Sequence, residues 1–123
     1  MIGVTILIMK KILIIEDDID TLDIIKYLLD DNNFETFCLK ELVPLTEVLD
    51  IQPDIILIDY RLPNGPGSEF CFKLKNDPVF SSIPVILMST HTQLKELAQE
   101  SCADDYLAKP FDLDDVLAVL SKY

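Results

Sequence analysis

Five polar side chains stand where short apolar runs of the sequence end, and their types suit phosphoryl and metal chemistry: Glu16, Asp17, Asp59, Ser89 and Lys109. Carboxylates that are crowded together repel one another, so such a group needs a cation or a proton. Hard oxygen ligands suit Mg²⁺, and a carboxylate can be the nucleophile that forms an acyl phosphate. A lysine and a hydroxyl could neutralise and hydrogen-bond the phosphoryl oxygens.

The apolar runs themselves predict the strands of a parallel sheet. Those at 12–15, 55–58 and 85–88 are branched and lack a polar alternation, which is typical of strands buried on both faces, and 34–39 and 106–107 are weaker candidates. Helical spacing of apolar residues separates the runs. It places one helix over 67–75, one after Pro44 and one after the predicted N-cap Asp112, and two more around Leu22–Leu29 and Leu94–Ala98.

This alternation of strand and helix predicts one α/β domain, with a doubly wound five-stranded parallel sheet flanked by five helices. In open sheets of this kind, ligands bind beyond the carboxyl ends of the strands. The polar residues named above should therefore converge on one rim of the sheet.

Chain length and net charge restrict the possible domain organisation and the possible partners. A chain of 123 residues suits a single domain. Its formal net charge of -12 argues against direct nucleic-acid binding, because phosphates would be repelled. The same charge favours cations, or partners that carry basic patches.

An apolar extension over residues 1–9 precedes the domain at 10–123. Lys10 and Lys11 end it well before the roughly 18 apolar residues of a membrane span, and no basic residue precedes it as in a signal peptide. We expect a cytoplasmic protein without a membrane contact, in which the extension prolongs the first strand, packs on the domain or mediates a homodimer. The three cysteines are odd in number and form no CxxC pair, which predicts reduced, mostly buried thiols: Cys38, Cys71 and Cys102.

Taken together, the motifs resemble the receiver domains of bacterial two-component response regulators, from Lys10 to about Leu120. The resemblance rests on KILIIEDD, PDIILIDYRLPNGPG, IPVILMST and ADDYLAKPF, in the order and approximate spacing of that family. It implies a flavodoxin-like strand order, 2-1-3-4-5. It also implies a signalling domain, not an enzyme, which takes a phosphoryl group from a sensor histidine kinase or a phosphotransfer protein.

The resemblance also implies a role for each residue of the rim. Asp59 would be the phosphoacceptor, and Mg²⁺ would be held by Glu16, Asp17, Asp59 and the backbone carbonyl of Arg61. Lys109 would pair with the phosphoryl group. Ser89 and Tyr106 would be the switch pair that changes the surface of the fourth helix, fifth strand and fifth helix for an output protein or domain. Gly67 matches the glycine of the loop after the phosphoacceptor, and Lys109–Pro110 is expected to be a cis peptide.

The sequence departs from the family pattern in three places within the domain. Cys102 replaces a glycine, Thr90 replaces an alanine or glycine, and the segment 89–109 is about two residues short. Arg61 and His91 should project beside the path of the hydrolytic water. We therefore expect slow autodephosphorylation, and Thr90 should slow loading from small phosphodonors.

Two other functions compete with this interpretation. A receiver fold could serve only protein contacts, without phosphorylation, although the five rim residues are then unexplained. A phosphatase of the haloacid dehalogenase type also uses an aspartate at a strand end. That family needs a second aspartate two residues later, where this chain has Arg61.

Overall fold

A computed structural model describes residues 9–123, which form one five-stranded parallel sheet with helices on both faces. The strands are β1 (Lys11–Ile15), β2 (Glu35–Leu39), β3 (Ile55–Asp59), β4 (Val85–Ser89) and β5 (Asp105–Ala108). They pair in the order β2-β1-β3-β4-β5. The helices are α1 (Ile19–Asp30), α2 (Leu45–Ile51), α3 (Gly67–Lys75), α4 (Leu94–Glu100) and α5 (Leu113–Leu120). This confirms the predicted fold class and strand order.

Alternate residues of the inner strands bury opposite faces of the sheet, because successive side chains of a strand point to opposite sides. Leu13 and Ile58 face the core under α2, α3 and α4. Ile14 and Leu57 face the core under α1 and α5. Burying each such side chain stabilises the fold by about 1.5–3 kcal/mol, which explains why the strand runs contain so few polar residues.

Two aspartates begin the helices that follow the rim. Asp18 caps α1, and its carboxylate accepts the Thr21 amide at 3.2 Å. Asp112 and Asp115 form a capping box at the start of α5, which confirms the predicted N-cap. Each cap satisfies an amide that the helix leaves unpaired.

Helix α4 is short, seven residues, and ends in a Schellman motif. The Ala103 amide donates to the Ala98 carbonyl at 2.9 Å, and the Cys102 amide donates to the Gln99 carbonyl at 3.2 Å. This turn places Cys102 in the left-handed region, at φ 62°. The thiol of Cys102 is exposed and that of Cys38 is half-buried, so the prediction of mostly buried thiols is wrong for Cys102.

The loop after β3 forms a small antiparallel hairpin, which the residue pattern of the loop does not predict. Arg61 and Leu62 pair with Pro66 and Gly65, so the chain reverses before α3 begins. At the other side of the rim, the Lys109–Pro110 peptide is cis, as predicted. Within residues 9–123, no helix has the length and apolar character needed to cross a membrane. The proposed roles of the extension concern residues 1–8, which lie outside the described part of the chain.

Candidate functional site

Three carboxylates meet at the carboxyl ends of β1 and β3. The two strands pair in parallel with Ile15 opposite Ile58, so the residues that follow, Glu16 and Asp59, leave the sheet side by side. Together with Asp17 they bring one carboxylate oxygen each to within 4.8 Å of the others. Glu16 and Asp59 are buried, whereas Asp17 is exposed to solvent.

Lys109 joins this cluster from the end of β5. Its Nζ lies 2.6 Å from Glu16 Oε2 and 3.0 Å from Asp59 Oδ1. The backbone of Lys109 is held by β4, because its amide donates to the Ser89 carbonyl at 2.9 Å. One ammonium group therefore bridges the two buried carboxylates.

Burial sets the direction of the pKa shift for the two buried carboxylates, and hydrogen bonds set it for the lysine. Burial raises the pKa of Asp59; the Lys109 hydrogen bond opposes this rise and the Asp17 charge adds to it. Burial also raises the pKa of Glu16 against the hydrogen bond from Lys109, with a further contribution from Asp59. For Lys109 burial disfavours the ammonium, but the bonds to Glu16 and Asp59 outweigh that cost and raise its pKa.

Three carboxylates and one ammonium leave the cluster with excess negative charge, and this is the physical reason that a cation fits there. The donor atoms are all oxygens, which suits a hard divalent ion. Asp17 is exposed, so such an ion could keep part of its water shell. The described residues can therefore hold a metal at Glu16, Asp17 and Asp59.

Ser89 lies next to this cluster, and Tyr106 lies away from it. Ser89 follows Met88, the residue that pairs with Asp59, and its buried Oγ accepts the His91 amide at 3.0 Å. Tyr106 is half-exposed on the α4 side of β5, where it lines a cavity of about 160 Å³ with α4. The structure thus places the two predicted switch residues on neighbouring strands, with Leu87 opposite Tyr106.

The three predicted rate-modulating residues lie in the loops that follow Asp59 and Ser89. The Arg61 side chain is exposed on the hairpin directly after Asp59. Thr90 lines a cavity of about 350 Å³ together with Lys109 and Pro110. The His91 ring packs edge-on against Tyr60 at 6.2 Å between ring centroids, and its Nδ1 accepts the Gln93 amide at 3.0 Å.

Two features of the site carry no obvious sequence signal. The contact between His91 and Tyr60 joins residues that are far apart in the chain. The side chain of Asn64, at the tip of the hairpin, bonds to both backbone groups of Leu42. In the sequence Asn64 belongs to LPNGPG, which predicts a turn and nothing more.

Comparison with known proteins agrees with the fold and shows the family. The family model described as response regulator receiver domain matches residues 12–121. The DNA-binding dual master transcriptional regulator RpaA of Synechocystis sp. is 33% identical over 113 residues, which cover 89% of this chain and 47% of that protein. The chain spans about half the length of the curated relatives it matches.

Two solved structures show the same fold at low sequence identity. The chemotaxis response regulator CheY4 of Vibrio cholerae gives a TM-score of 0.85 at 22% identity, over 94% of this chain and 98% of that chain. The receiver domain of the sensor histidine kinase PA1611 from Pseudomonas aeruginosa gives 0.80 at 21% identity, over 94% of this chain and 98% of that chain. That structure is described with a magnesium ion coordinated in the active site cleft.

Proposed function

We propose that this chain, which belongs to the response regulator receiver domain family, stores a signal as a phosphoryl group on Asp59. The observation that carries the proposal is the position of the Asp59 carboxylate. It ends a fully buried strand, contacts the Lys109 ammonium at 3.0 Å and shares a cluster with two further acids. A rigid strand holds a nucleophile more accurately than a loop would.

In the proposed reaction an Asp59 oxygen attacks the phosphorus of a phosphohistidine. The new bond is an O–P bond, and the P–N bond breaks with its electron pair left on the imidazole nitrogen. Lys109 stands beside Asp59 and can pair with a phosphoryl oxygen. The chain would therefore be the acceptor in this transfer and not a catalyst of a separate reaction.

Mg²⁺ is the proposed cofactor, because the donor set is made of oxygens and carries excess negative charge. Glu16, Asp17 and Asp59 would hold it with the backbone carbonyl of Arg61. When bound, it supplies positive charge that offsets the charge of the phosphoryl oxygens. The magnesium ion in the PA1611 receiver domain supports this choice.

The proposed output is a change of the surface formed by α4, β5 and α5. Ser89 would turn from the His91 amide toward the phosphoryl group, and Tyr106 would follow. A sensor histidine kinase or a phosphotransfer protein would supply the phosphoryl group, and an output protein or domain would read the surface. With a net charge of -12, the chain itself is not proposed to bind nucleic acid.

Intact-mass measurement after incubation with acetyl phosphate tests the proposal. Wild-type protein should gain one phosphoryl group with Mg²⁺ and none with a chelator. Asp59→Asn should gain none, while Asp114→Asn, which changes an exposed aspartate of α5, should behave like wild type. Equal labelling of Asp59→Asn would assign the acceptor elsewhere. If neither acetyl phosphate nor a phosphorylated histidine kinase labels wild type, the chain is a phosphorylation-independent interaction module.

A further inference from the structure

The tip of the hairpin after β3 is hydrogen-bonded to the loop between β2 and α2. Asn64 Oδ1 accepts the Leu42 amide at 2.9 Å, and Asn64 Nδ2 donates to the Leu42 carbonyl at 2.9 Å. A carboxamide can satisfy both groups of one residue because it offers one acceptor and one donor, as a neighbouring strand would. One side chain thus joins two loops that are 22 residues apart.

Leu42 is itself held in place by packing. Its side chain packs against the hydrophobic core under α2, α3 and α4. The same side chain covers the turn of the hairpin, since Leu42 Cδ1 lies 3.2 Å from the point where a Cβ on Gly65 would stand. Leu42 therefore holds Asn64 by two hydrogen bonds, and its side chain occupies the space beside Gly65.

The base of the hairpin is held by a separate pair of backbone hydrogen bonds. The Tyr60 amide donates to the Met88 carbonyl at 2.9 Å, and the Gly67 amide donates to the Tyr60 carbonyl at 2.7 Å. Arg61 lies between this base and the fastened tip. Restraint at both ends leaves the backbone of Arg61 few conformations, so less freedom is lost when its carbonyl is placed on an ion.

The loop that contains Leu42 also lies beside Asp17, the exposed member of the acidic cluster. A cavity of about 670 Å³ is lined by Asp17, by Glu41 and Val43 on either side of Leu42, and by Pro63 just before Asn64. A shift of the hairpin tip would therefore alter the surroundings of Asp17 as well as the position of the Arg61 carbonyl.

We propose that Asn64 is a positioning residue for the metal site, which fixes the Arg61 carbonyl relative to Asp17 and Asp59 through its paired bonds to Leu42. The inference rests on the proposed Mg²⁺ site. Asn64 does not touch the ion in this scheme. It acts through the hairpin, as partners behind a metal ligand commonly do.

The test compares Asn64→Ala with Asn76→Ala. Asn76 ends α3 and makes one side-chain bond to a backbone carbonyl, at 2.8 Å to Phe72, so it controls for the loss of an exposed asparagine. In metal-free protein the Leu42 amide should exchange faster with solvent in Asn64→Ala and at the wild-type rate in Asn76→Ala. Magnesium titration should give a Kd about tenfold higher for Asn64→Ala, as for other residues behind a ligand, and an unchanged Kd for Asn76→Ala.

Further readouts separate positioning from a loss of stability. The carbonyl carbon resonance of Arg61 should shift on Mg²⁺ addition in wild type and shift less in Asn64→Ala at equal saturation. Asn64→Ser, which suits the turn but cannot pair with both Leu42 groups, should repeat the loss if Asn64→Ala folds poorly. Wild-type Mg²⁺ affinity in both Asn64 variants overturns the inference and leaves the proposed function intact. A wild-type protein that binds no Mg²⁺ overturns the metal site and the inference with it.

Discussion

A Cβ atom at Gly67 would overlap the backbone carbonyl oxygen of Asp59. The first residue of α3 therefore lies directly against the main chain of the proposed phosphoacceptor. Gly67 has no unusual φ to explain its identity, and the close approach of the two backbones is the reason that glycine is needed. Helix α3 and the end of β3 form one packed unit at this point.

Gly67→Ala should disturb both stability and the site. The added methyl group must push α3 away from Asp59, because the atom it meets belongs to the backbone and cannot rotate aside. We expect a loss of about 1–3 kcal/mol in the free energy of unfolding, the usual cost of overpacking, together with slower phosphoryl loading. Urea unfolding would measure the first effect. Ser68→Ala, one residue further along α3, is the matched control and should stay close to wild type.

Asp59→Asn should stabilise the metal-free protein at neutral pH. Burial, with the Asp17 charge adding to it, raises the pKa of Asp59, so the folded state holds the charged carboxylate at a cost. Asparagine removes that cost, and Glu16 still pairs with Lys109 at 2.6 Å. The variant should therefore unfold at a higher temperature than wild type, and the gain should grow with the amount by which folding raises the pKa of Asp59.

The direction of the pKa shift of Asp59 determines how the stability gain of Asp59→Asn depends on pH. Wild type takes up a proton on Asp59 more readily when folded, so its stability relative to the variant rises as the pH falls below the raised pKa. The gain of Asp59→Asn should vanish below about pH 3.9, the ordinary value for an aspartate. Asp18→Asn should show the opposite trend, because bonds from Thr21 lower the pKa of Asp18. Thermal unfolding with a chelator at several pH values would measure both, and a gain for Asp59→Asn that persisted at low pH would contradict the explanation.

Cys102→Gly should stabilise the fold. Cys102 has φ 62°, where a side chain costs about 1–2 kcal/mol, whereas the extra freedom of glycine in the unfolded chain costs about 0.4–1 kcal/mol. A net gain of about 0.5–1 kcal/mol follows. Cys102→Ala removes the thiol but keeps the strained backbone, so it should change little. Denaturant unfolding under reducing conditions would compare the three proteins, and equal stabilities for all would rule out backbone strain at this turn.

Arg61 and His91 should slow the loss of the phosphoryl group, and Thr90 should slow its loading. Arg61→Ala and His91→Ala should speed autodephosphorylation, because each removes bulk beside the expected path of water. Thr90→Ala should speed loading from acetyl phosphate by widening the cavity beside Lys109. Changes of about tenfold are reasonable, since they need only about 1.4 kcal/mol of barrier. Decay and loading curves from intact-mass or phosphate-release assays would measure them, and rates equal to wild type in all three variants would end this explanation.

The inner strands could be predicted from the sequence because both of their faces are buried. β1, β3 and β4 consist of apolar runs and lie in the structure within one residue of the predicted bounds. The edge strands gave weaker signals for the opposite reason. Tyr106 of β5 is 39% exposed, and no residue of β2 is fully buried, so polar side chains interrupt both patterns.

The members of the site could be predicted, but the contacts between them could not. Glu16, Asp17, Asp59 and Lys109 were placed on one rim by the rule that parallel strands end at one edge. The bridge that Lys109 makes to Glu16 spans 93 residues, and no local pattern encodes it. The role of Asn64 could not be predicted for the same reason. Its side chain bonds to the backbone amide and carbonyl of Leu42, and backbone groups carry no sequence signature.

The parallel order of the sheet has a consequence for the time at which the site comes into existence during folding. Parallel neighbours cannot be joined by a tight turn, so each pairing must close a long crossover loop. Glu16, Asp59 and Lys109 come from three such strands, and they meet only after the chain has closed the loops between β1, β3, β4 and β5. No early, local piece of this chain contains the acidic pocket and its lysine together. If the proposed function holds, a nascent or partly unfolded molecule could not accept a phosphoryl group, and only completely folded copies could carry the signal.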